Sequence, residues 1–508
     1  MHREKTFGGI AGAIGAGVAL GAGELLGGLF DAIPSPMAAV GGQVIDWSPP
    51  FLKDFAIALF GTNDKLALAI GTAVVGVIIG WFIGGVAMRR PIVGPVAFGL
   101  FAAVGIVAGL GEPMVAPWAV VVATGGSALL GVVVLDALVR SARAIEQPTD
   151  ALPADAARRR FIRLAFVGGA AAMVGGSIGR SLSTRIPAPP PVTLDDPSTD
   201  TVALPATANE FSVPGLTPVV VPNADFYRID TALTVPRIDP ASWSLRVHGL
   251  VDDEVVLTYQ DLLDMNHIDE YVTIACVSNE VGGDLVGNAR WTGVRLADVL
   301  EVAGLQPGAT QLVGRSVDGF TVGFPPQVLD DGRQAMIAVG MNGEALPRQH
   351  GYPARLIVPG LYGYVSATKW LSEIELTGYE DFDAYWVPRG WAKEAPIKTQ
   401  SRIDVPRSGG SVPAGSVVFA GVAWAPLKGI DRVEVRIGEE GVWQDARLTV
   451  PLSDTAWVQW MTTIDLAPGR YLVQVRATDG TGVVQTSEPM PPRPDGATGY
   501  HTTSVTIT

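Results

Sequence analysis

Tyr271-Val272-Thr273-Ile274-Ala275-Cys276-Val277-Ser278-Asn279-Glu280-Val281-Gly282-Gly283 is the stretch on which the reading of this chain turns. It holds the single cysteine of the 508 residues. One cysteine closes no internal disulfide and excludes four-cysteine zinc or iron–sulfur sites. The apolar, β-branched run leading into it predicts a buried strand, and Ser278 to Gly283 predicts the turn that ends the strand. The sulfur therefore stands at the mouth of a loop. Two readings of it are open: a thiolate acting as nucleophile or soft metal ligand, or a buried structural thiol, since free cysteine is among the most buried residue types.

Outward from this stretch the composition is uneven. The apolar residues crowd the first 185 positions, while most of the 50 acidic residues follow Asp195. The length suits two or three domains, and the imbalance suits a chain divided between membrane and water. A net charge of -14 with no basic groove argues against a nucleic-acid partner.

Five apolar stretches, 7–30, 66–87, 92–110, 115–139 and 164–182, are long enough or nearly so to cross a bilayer as helices. All are rich in glycine and alanine, as close-packed membrane helices are. Basic clusters at Arg3/Lys5, Arg89/Arg90, Arg140/Arg143 and Arg158–Arg163 fall on one side of five spans. The positive-inside rule then puts the N-terminus in the cytoplasm and everything after Leu182 outside, in a multi-pass protein of the cytoplasmic (inner) membrane. Residues 49–61 suit a short interfacial helix. Arg158-Arg159-Arg160-Phe161-Ile162-Arg163 resembles a twin-arginine export signal placed inside the chain, and reads equally as an ordinary positive-inside cluster. The five histidines are His2, His248, His267, His350 and His501, so no histidine pair for haem lies within the spans. Glu24 is the acidic residue well inside a span.

Ile186-Pro187-Ala188-Pro189-Pro190-Pro191 opens a stiff spacer over 186–208. Beyond it, strands are expected over 243–250, 255–259, 271–276 and 311–316, and a helix over 296–303 that stops at Gly304. Strands mixed with short helices, without a βαβ repeat, give an α+β domain over 209–397. From 398 to 508 the pattern is purely β, with strands over 416–424, 432–437, 443–449, 458–466, 470–478 and 483–487. Turns such as Ala467-Pro468-Gly469 separate them at sandwich-like spacing.

The cysteine stretch continues as Gly287-Asn288-Ala289-Arg290-Trp291-Thr292-Gly293, and later come His350-Gly351-Tyr352-Pro353-Ala354-Arg355, Tyr362-Gly363-Tyr364 and Lys369-Trp370-Leu371. Upstream stands Pro222-Asn223-Ala224-Asp225-Phe226-Tyr227-Arg228. This ordered set resembles the sulfite oxidase family of molybdenum–pterin oxidoreductases over about residues 210–508. The resemblance implies a molybdopterin-binding α+β domain followed by an immunoglobulin-like β-sandwich of the dimerisation type; the transmembrane bundle of five helices (1–185) lies outside it and is similar to the anchor of some bacterial members, which makes the fold multidomain. It implies a molybdenum–molybdopterin cofactor with Cys276 as the catalytic thiolate ligand to the metal, chemistry that suits a soft anionic sulfur. It assigns cofactor contacts to Asn223, Tyr227, Arg228, Ser316, His350, Arg355, Ser366 and Lys369, with Arg355 and His350 on the pterin phosphate.

Two features depart from the family's animal members. Glu280-Val281 follows the cysteine and Pro222 precedes Asn223, where those members carry basic residues, and the third arginine position falls near Lys428. An acidic residue at the metal would repel sulfite, so the expectation is oxygen-atom transfer with another small-molecule substrate, such as sulfoxide reduction. A genuine sulfite dehydrogenase and a cofactor-free membrane-anchored binding module are the alternatives. Electrons would pass to or from a separate carrier: a quinone, a membrane haem protein or a soluble cytochrome.

Overall fold

The computed structural model describes residues 2–508 apart from 31–32, 50–51, 53–54, 56–58, 61–63, 113–114, 149–152, 186–187, 193 and 195–209. The chain divides into two compact units, Met1–Pro187 with Ala232–Arg237, and Ala188–Thr231 with Ile238–Thr508. The interfacial helix expected over 49–61 and the spacer over 186–208 lie mostly outside the described residues.

The first unit is helical: α1 (His2–Leu29), α2 (Pro36–Trp47), α3 (Asp64–Ala87), α4 (Val93–Leu110), α5 (Pro117–Glu146) and α6 (Ala154–Thr184). All but α2 are long and apolar enough to cross a membrane. Glycine sets how closely α1 and α3 approach: a Cβ added at Gly12 would collide with the Gly80 carbonyl, and one at Gly84 with the Gly8 carbonyl. Arg143 on α5 donates to the Ala87 and Met88 carbonyls at 2.9 and 3.1 Å, closing the C-terminal end of α3. The helix α2 was not expected from the sequence, and its start explains Glu24. Ser35 caps it, Pro36 occupies its first turn, and the buried Glu24 carboxylate accepts from Ser35 Oγ (2.5 Å) and the Met37 N–H (3.1 Å). A carboxylate at a helix N-terminus completes donors that would otherwise be unpaired in an apolar surround.

In the second unit, β1 (Ser244–Gly249), β2 (Val255–Thr258), α7 (Tyr259–Asp264), β3 (His267–Ala275), β4 (Val286–Arg295), α8 (Leu296–Ala303), β5 (Gln311–Ser316), β6 (Thr321–Phe324), β7 (Met336–Met341), β8 (Glu344–Ala345), β9 (Arg355–Ile357), the single turn α9 (Gly363–Ser366) and β10 (Leu371–Thr377) build two sheets. One runs β2-β1-β10-β5-β6, with β1 and β10 parallel; the other runs β3-β4-β7-β8, with β9 added to β7. The sequence reading found β1, β2, β5 and α8 within a residue or two of their bounds. It started β3 four residues late and gave β4 no strand at all. Both are buried on both faces, so neither alternates, and their polar residues are satisfied inside: Thr292 Oγ donates to Asp269 at 2.5 Å, and Asn288 Nδ2 to the Val219 carbonyl at 2.9 Å.

The remaining strands are β11 (Gln400–Val405), β12 (Ser411–Val412), β13 (Gly415–Trp424), β14 (Ile430–Ile437), β15 (Gln444–Asp445), β16 (Arg447–Leu448), β17 (Val458–Leu466), β18 (Gly469–Asp479) and β19 (His501–Ile507). They form sheets ordered β11-β13-β17-β16 and β12-β19-β18-β14-β15, whose inner faces share one core of Phe419, Trp460, Val433, Val475 and Val505. The strand expected over 443–449 is split between the two sheets as β15 and β16. The one expected over 483–487 is absent, and β19 takes the place beside β18. There the Gln485 side chain does what a ladder would: Oε1 accepts from Ser401 Oγ (2.7 Å) and the Ala477 N–H (3.1 Å), and Nε2 donates to the Gly499 carbonyl (2.8 Å).

A second core joins the α+β part to the β13 sheet. Val272, Ile274 and Ala275 of β3, Trp291 of β4, Tyr362 and Tyr364 pack with Val422, Trp424 and Trp457. The Trp457 indole donates to the Val219 carbonyl at 2.7 Å, and its N–H donates to Thr273 Oγ at 2.8 Å. Burying these rings fixes the end of β3, and that end carries the cysteine.

Candidate active site

Cys276 is the first residue past β3. Its N–H donates to the Leu285 carbonyl (2.9 Å) and its carbonyl accepts from the Asn279 N–H (3.0 Å). Asn279 Oδ1 takes the Leu285 N–H at 2.9 Å, which ties both ends of the loop together. Gly282, with φ of +80°, turns the chain against the His501 ring where no side chain fits. The sulfur faces a cavity of about 130 Å³. Burial pushes the Cys276 thiol up, against hydrogen bonds from Ser278 and the charge of Lys369 that favour the thiolate.

Of the residues singled out in the sequence, Tyr227, Cys276, Ser316, Arg355 and Lys369 line this cavity. Arg355, at the start of β9, is 3% exposed; its guanidinium lies 4.8 Å from the centre of the Trp291 ring and donates to the His350 carbonyl at 3.0 Å. Its Nε is buried without a partner, and it has no carboxylate partner among the described residues. Burial pulls Arg355 down to about 10. Lys369 bonds Asp230 at 3.2 Å, and Arg228 donates to the same carboxylate at 2.7 Å; burial draws Lys369 down to about 8 although Asp230 works the other way.

The others stand behind or beside the cavity. His350 Nε2 meets the Asn223 carbonyl at 3.0 Å, which makes it the protonated nitrogen and leaves the buried Nδ1 without a partner. Burial, with Lys369 and Arg355 nearby, pulls His350 down to about 3. The Asn223 amide is held by protein: Nδ2 donates to the Met341 carbonyl (3.2 Å) and Oδ1 accepts from Asn342 (2.8 Å). The Ser366 hydroxyl is spent on the Leu361 and Tyr362 carbonyls at 3.1 and 3.0 Å and does not line the cavity.

Glu280 behaves differently from the expectation set for it. It is exposed and absent from the cavity lining, because the turn closed by Asn279 and by the Gly283 N–H on its own carbonyl carries it outward. Lys428 and Arg290 are likewise outside the lining and face Asp479 (3.1 Å) and Asp269 (3.8 Å). Residues that sequence reasoning passed over complete the walls: Asp230, Phe320, Trp386 and Trp391. Trp391 lies 5.9 Å from Tyr364 and 6.5 Å from Trp386, ring centre to ring centre. The signal was legible in Trp386-Val387-Pro388-Arg389-Gly390-Trp391, two large rings bracketing a proline–glycine turn.

These groups fit a phosphorylated, sulfur-bound metal cofactor. A buried guanidinium without a counter-ion and with an orphaned Nε is what an anion would satisfy, and the unprotonated, orphaned His350 Nδ1 is an acceptor for a donor group of the cofactor. The glycine at 363 lets backbone approach the same cavity, which a lone soft sulfur faces.

Comparison with known proteins agrees with that chemistry. Residues 232–386 match the family described as the oxidoreductase molybdopterin binding domain. An uncharacterized oxidoreductase of Bacillus subtilis, YuiH, is 34% identical over 155 residues, 30% of this chain and 74% of that protein. Mitochondrial sulfite oxidase of Homo sapiens is 28% identical over 297 residues, 49% of this chain and 54% of that protein, so the chain spans about half the length of this relative. Among solved structures, the sulfane dehydrogenase SoxCD from Paracoccus pantotrophus is 26% identical with a TM-score of 0.49, covering 56% of this chain and 80% of that one.

Proposed function

This chain belongs to the sulfite oxidase family of molybdopterin oxidoreductases, and from that premise we propose that it is a membrane-anchored molybdenum–pterin enzyme working on the extracytoplasmic side. The observation that carries the reading is the convergence of Cys276, Arg355 and Lys369 on one cavity, with Arg355 lacking an anion. In this reading Cys276 holds the metal through its sulfur. Arg355 and Lys369 take the pterin phosphate, the neutral His350 accepts through Nδ1 from a pterin N–H, and Asn223, Arg228 and Ser366 hold the loops from which these groups project. Tyr227 and Ser316 face the cofactor from the cavity wall. Bound there, the molybdenum centre supplies two-electron chemistry and transfer of an oxygen atom to or from substrate.

The substrate we propose is a small neutral sulfoxide or its thioether. Phe320, Tyr364, Trp386 and Trp391 support it, since apolar ring faces favour an uncharged sulfur compound over a hydrated dianion. Sulfite is the second reading, favoured by Glu280 lying outside the cavity. The five apolar helices support the anchor, with the basic clusters on the cytoplasmic side. A division into anchor (1–185), spacer (186–208), cofactor domain (209–397) and immunoglobulin-like, dimerising sandwich (398–508) completes the reading. A quinone, haem protein or cytochrome exchanges electrons with it.

The test is steady-state turnover of the purified, molybdenum-loaded chain with methionine sulfoxide and with sulfite, each with a suitable artificial electron carrier. A kcat/KM for the sulfoxide at least tenfold above that for sulfite is expected. The reverse ratio makes the protein a sulfite dehydrogenase.

A further inference from the structure

The helical unit contains a second cavity, of about 680 Å³, between α1, α2, α3, α4 and α5. Among the described residues its walls are apolar but for Thr72, Thr124 and Ser127, and its size lies within the range of small-molecule sites. Small residues open it: a Cβ added at Gly71 on α3 meets nothing within 4 Å. Protein interiors are close-packed, and a void of this size among apolar side chains holds little water. It therefore calls for an apolar occupant.

One polar group points to which. Ser127 on α5 lines the cavity, is 6% exposed, and its Oγ has no hydrogen-bond partner among the described residues. Buried helical hydroxyls ordinarily donate back to the carbonyl four residues earlier. Ser141 on the same helix does so to Ala137 at 2.9 Å, and Thr72 across the cavity does so to Leu68 at 2.9 Å. Ser127 alone of these three keeps its hydroxyl for something else. It stands ten residues past Pro117, about 15 Å along the helix and so near the middle of a hydrocarbon layer about 30 Å thick. Phospholipid phosphates and esters lie at the membrane surface, out of its reach. The occupant must carry an acceptor on an otherwise apolar body.

We propose that this cavity binds an isoprenoid quinone, with a ring carbonyl accepting from Ser127 Oγ and the prenyl chain along the apolar walls. Val75 and Ile79 of α3 and Phe101 and Val104 of α4 line the cavity and are themselves exposed, so the site is reached laterally by a membrane-dissolved molecule. The inference rests on the membrane placement proposed for the helices.

Full-length protein prepared from membranes is extracted with solvent and its quinone and phospholipid quantified by mass spectrometry; binding of a short-tailed benzoquinone and a short-tailed naphthoquinone is then titrated in detergent. About one quinone per chain is expected. Gly71→Leu, which fills the void without a backbone clash, abolishes binding, and Ser127→Ala weakens it about tenfold, the loss of one hydrogen bond. Unchanged helical circular dichroism and a monodisperse gel-filtration profile in detergent show that the helical unit is folded in both variants. Retained affinity in Gly71→Leu, or a carbonate-resistant chain whose extract holds only phospholipid, overturns the quinone site alone. Release of the chain from membranes by alkaline carbonate overturns the membrane placement and the site with it.

Discussion

Arg355→Met should have opposite signs in the cofactor-free and cofactor-loaded protein. Burial lowers Arg355 from 12.5 to about 10, which corresponds to about 3 kcal/mol of cation solvation lost on folding. Against this stand its hydrogen bond to the His350 carbonyl and its place over the Trp291 ring, each worth about 1 kcal/mol. Methionine fills a similar volume and carries no charge, so the cofactor-free variant should be more stable than the wild type by about 1 kcal/mol. In the loaded protein the same change removes a charge-assisted contact to the phosphate, weakening pterin retention by about thirtyfold. Both preparations come from hosts with and without pterin synthesis, and are unfolded in denaturant under tryptophan fluorescence while released pterin is measured by its own fluorescence. A cofactor-free variant that loses more than about 1 kcal/mol would refute the uncompensated-charge argument. Wild-type pterin retention would refute the phosphate assignment.

Two further predictions concern the same neighbourhood. His350 is lowered from 6.5 to about 3, so the unfolded chain takes up a proton that the folded chain refuses; stability from this group is flat above pH 6.5 and falls as pH drops toward 3. Between pH 7 and 5 the cofactor-free wild type should therefore lose about 2 kcal/mol more than His350→Asn, as read from denaturation midpoints, and equal losses would mean that His350 titrates normally in the fold. Gly282→Ala places a Cβ against the His501 ring at a φ of +80° and should cost about 2 kcal/mol or more, with reduced molybdenum content because the Cys276 loop shifts. Adding His501→Ala should recover part of that loss in a thermal melt, and no recovery would place the strain elsewhere.

How much of this was legible in the sequence follows from where each signal resides. Strands with one exposed face and the helix ending at Gly304 could be read because period and turn chemistry are local properties. Strand β4 could not: its glycines, Asn288 and Arg290 break every local pattern, and the strand exists because both faces are covered and Asn288 is satisfied by Val219, 69 residues away. Helix α2 was hidden for a related reason, since the carboxylate that completes its N-terminus comes from Glu24 on another helix.

The site divides along the same line. Cys276, Arg355 and Lys369 were identified as an ordered set, and the fold brings them to one cavity. The resemblance puts Glu280 beside the metal, at a place where the family's animal members carry a basic residue; in the fold, one reversal of the chain at Asn279 carries its charge to the surface. A charge argument carried over by correspondence thus depends on the turn between the residues. The cavity itself sets the physical ground for substrate choice: it combines Arg355 and the Asp230-paired Lys369 with a wall of rings, and the relative turnover of anionic and neutral substrates measures which of the two governs.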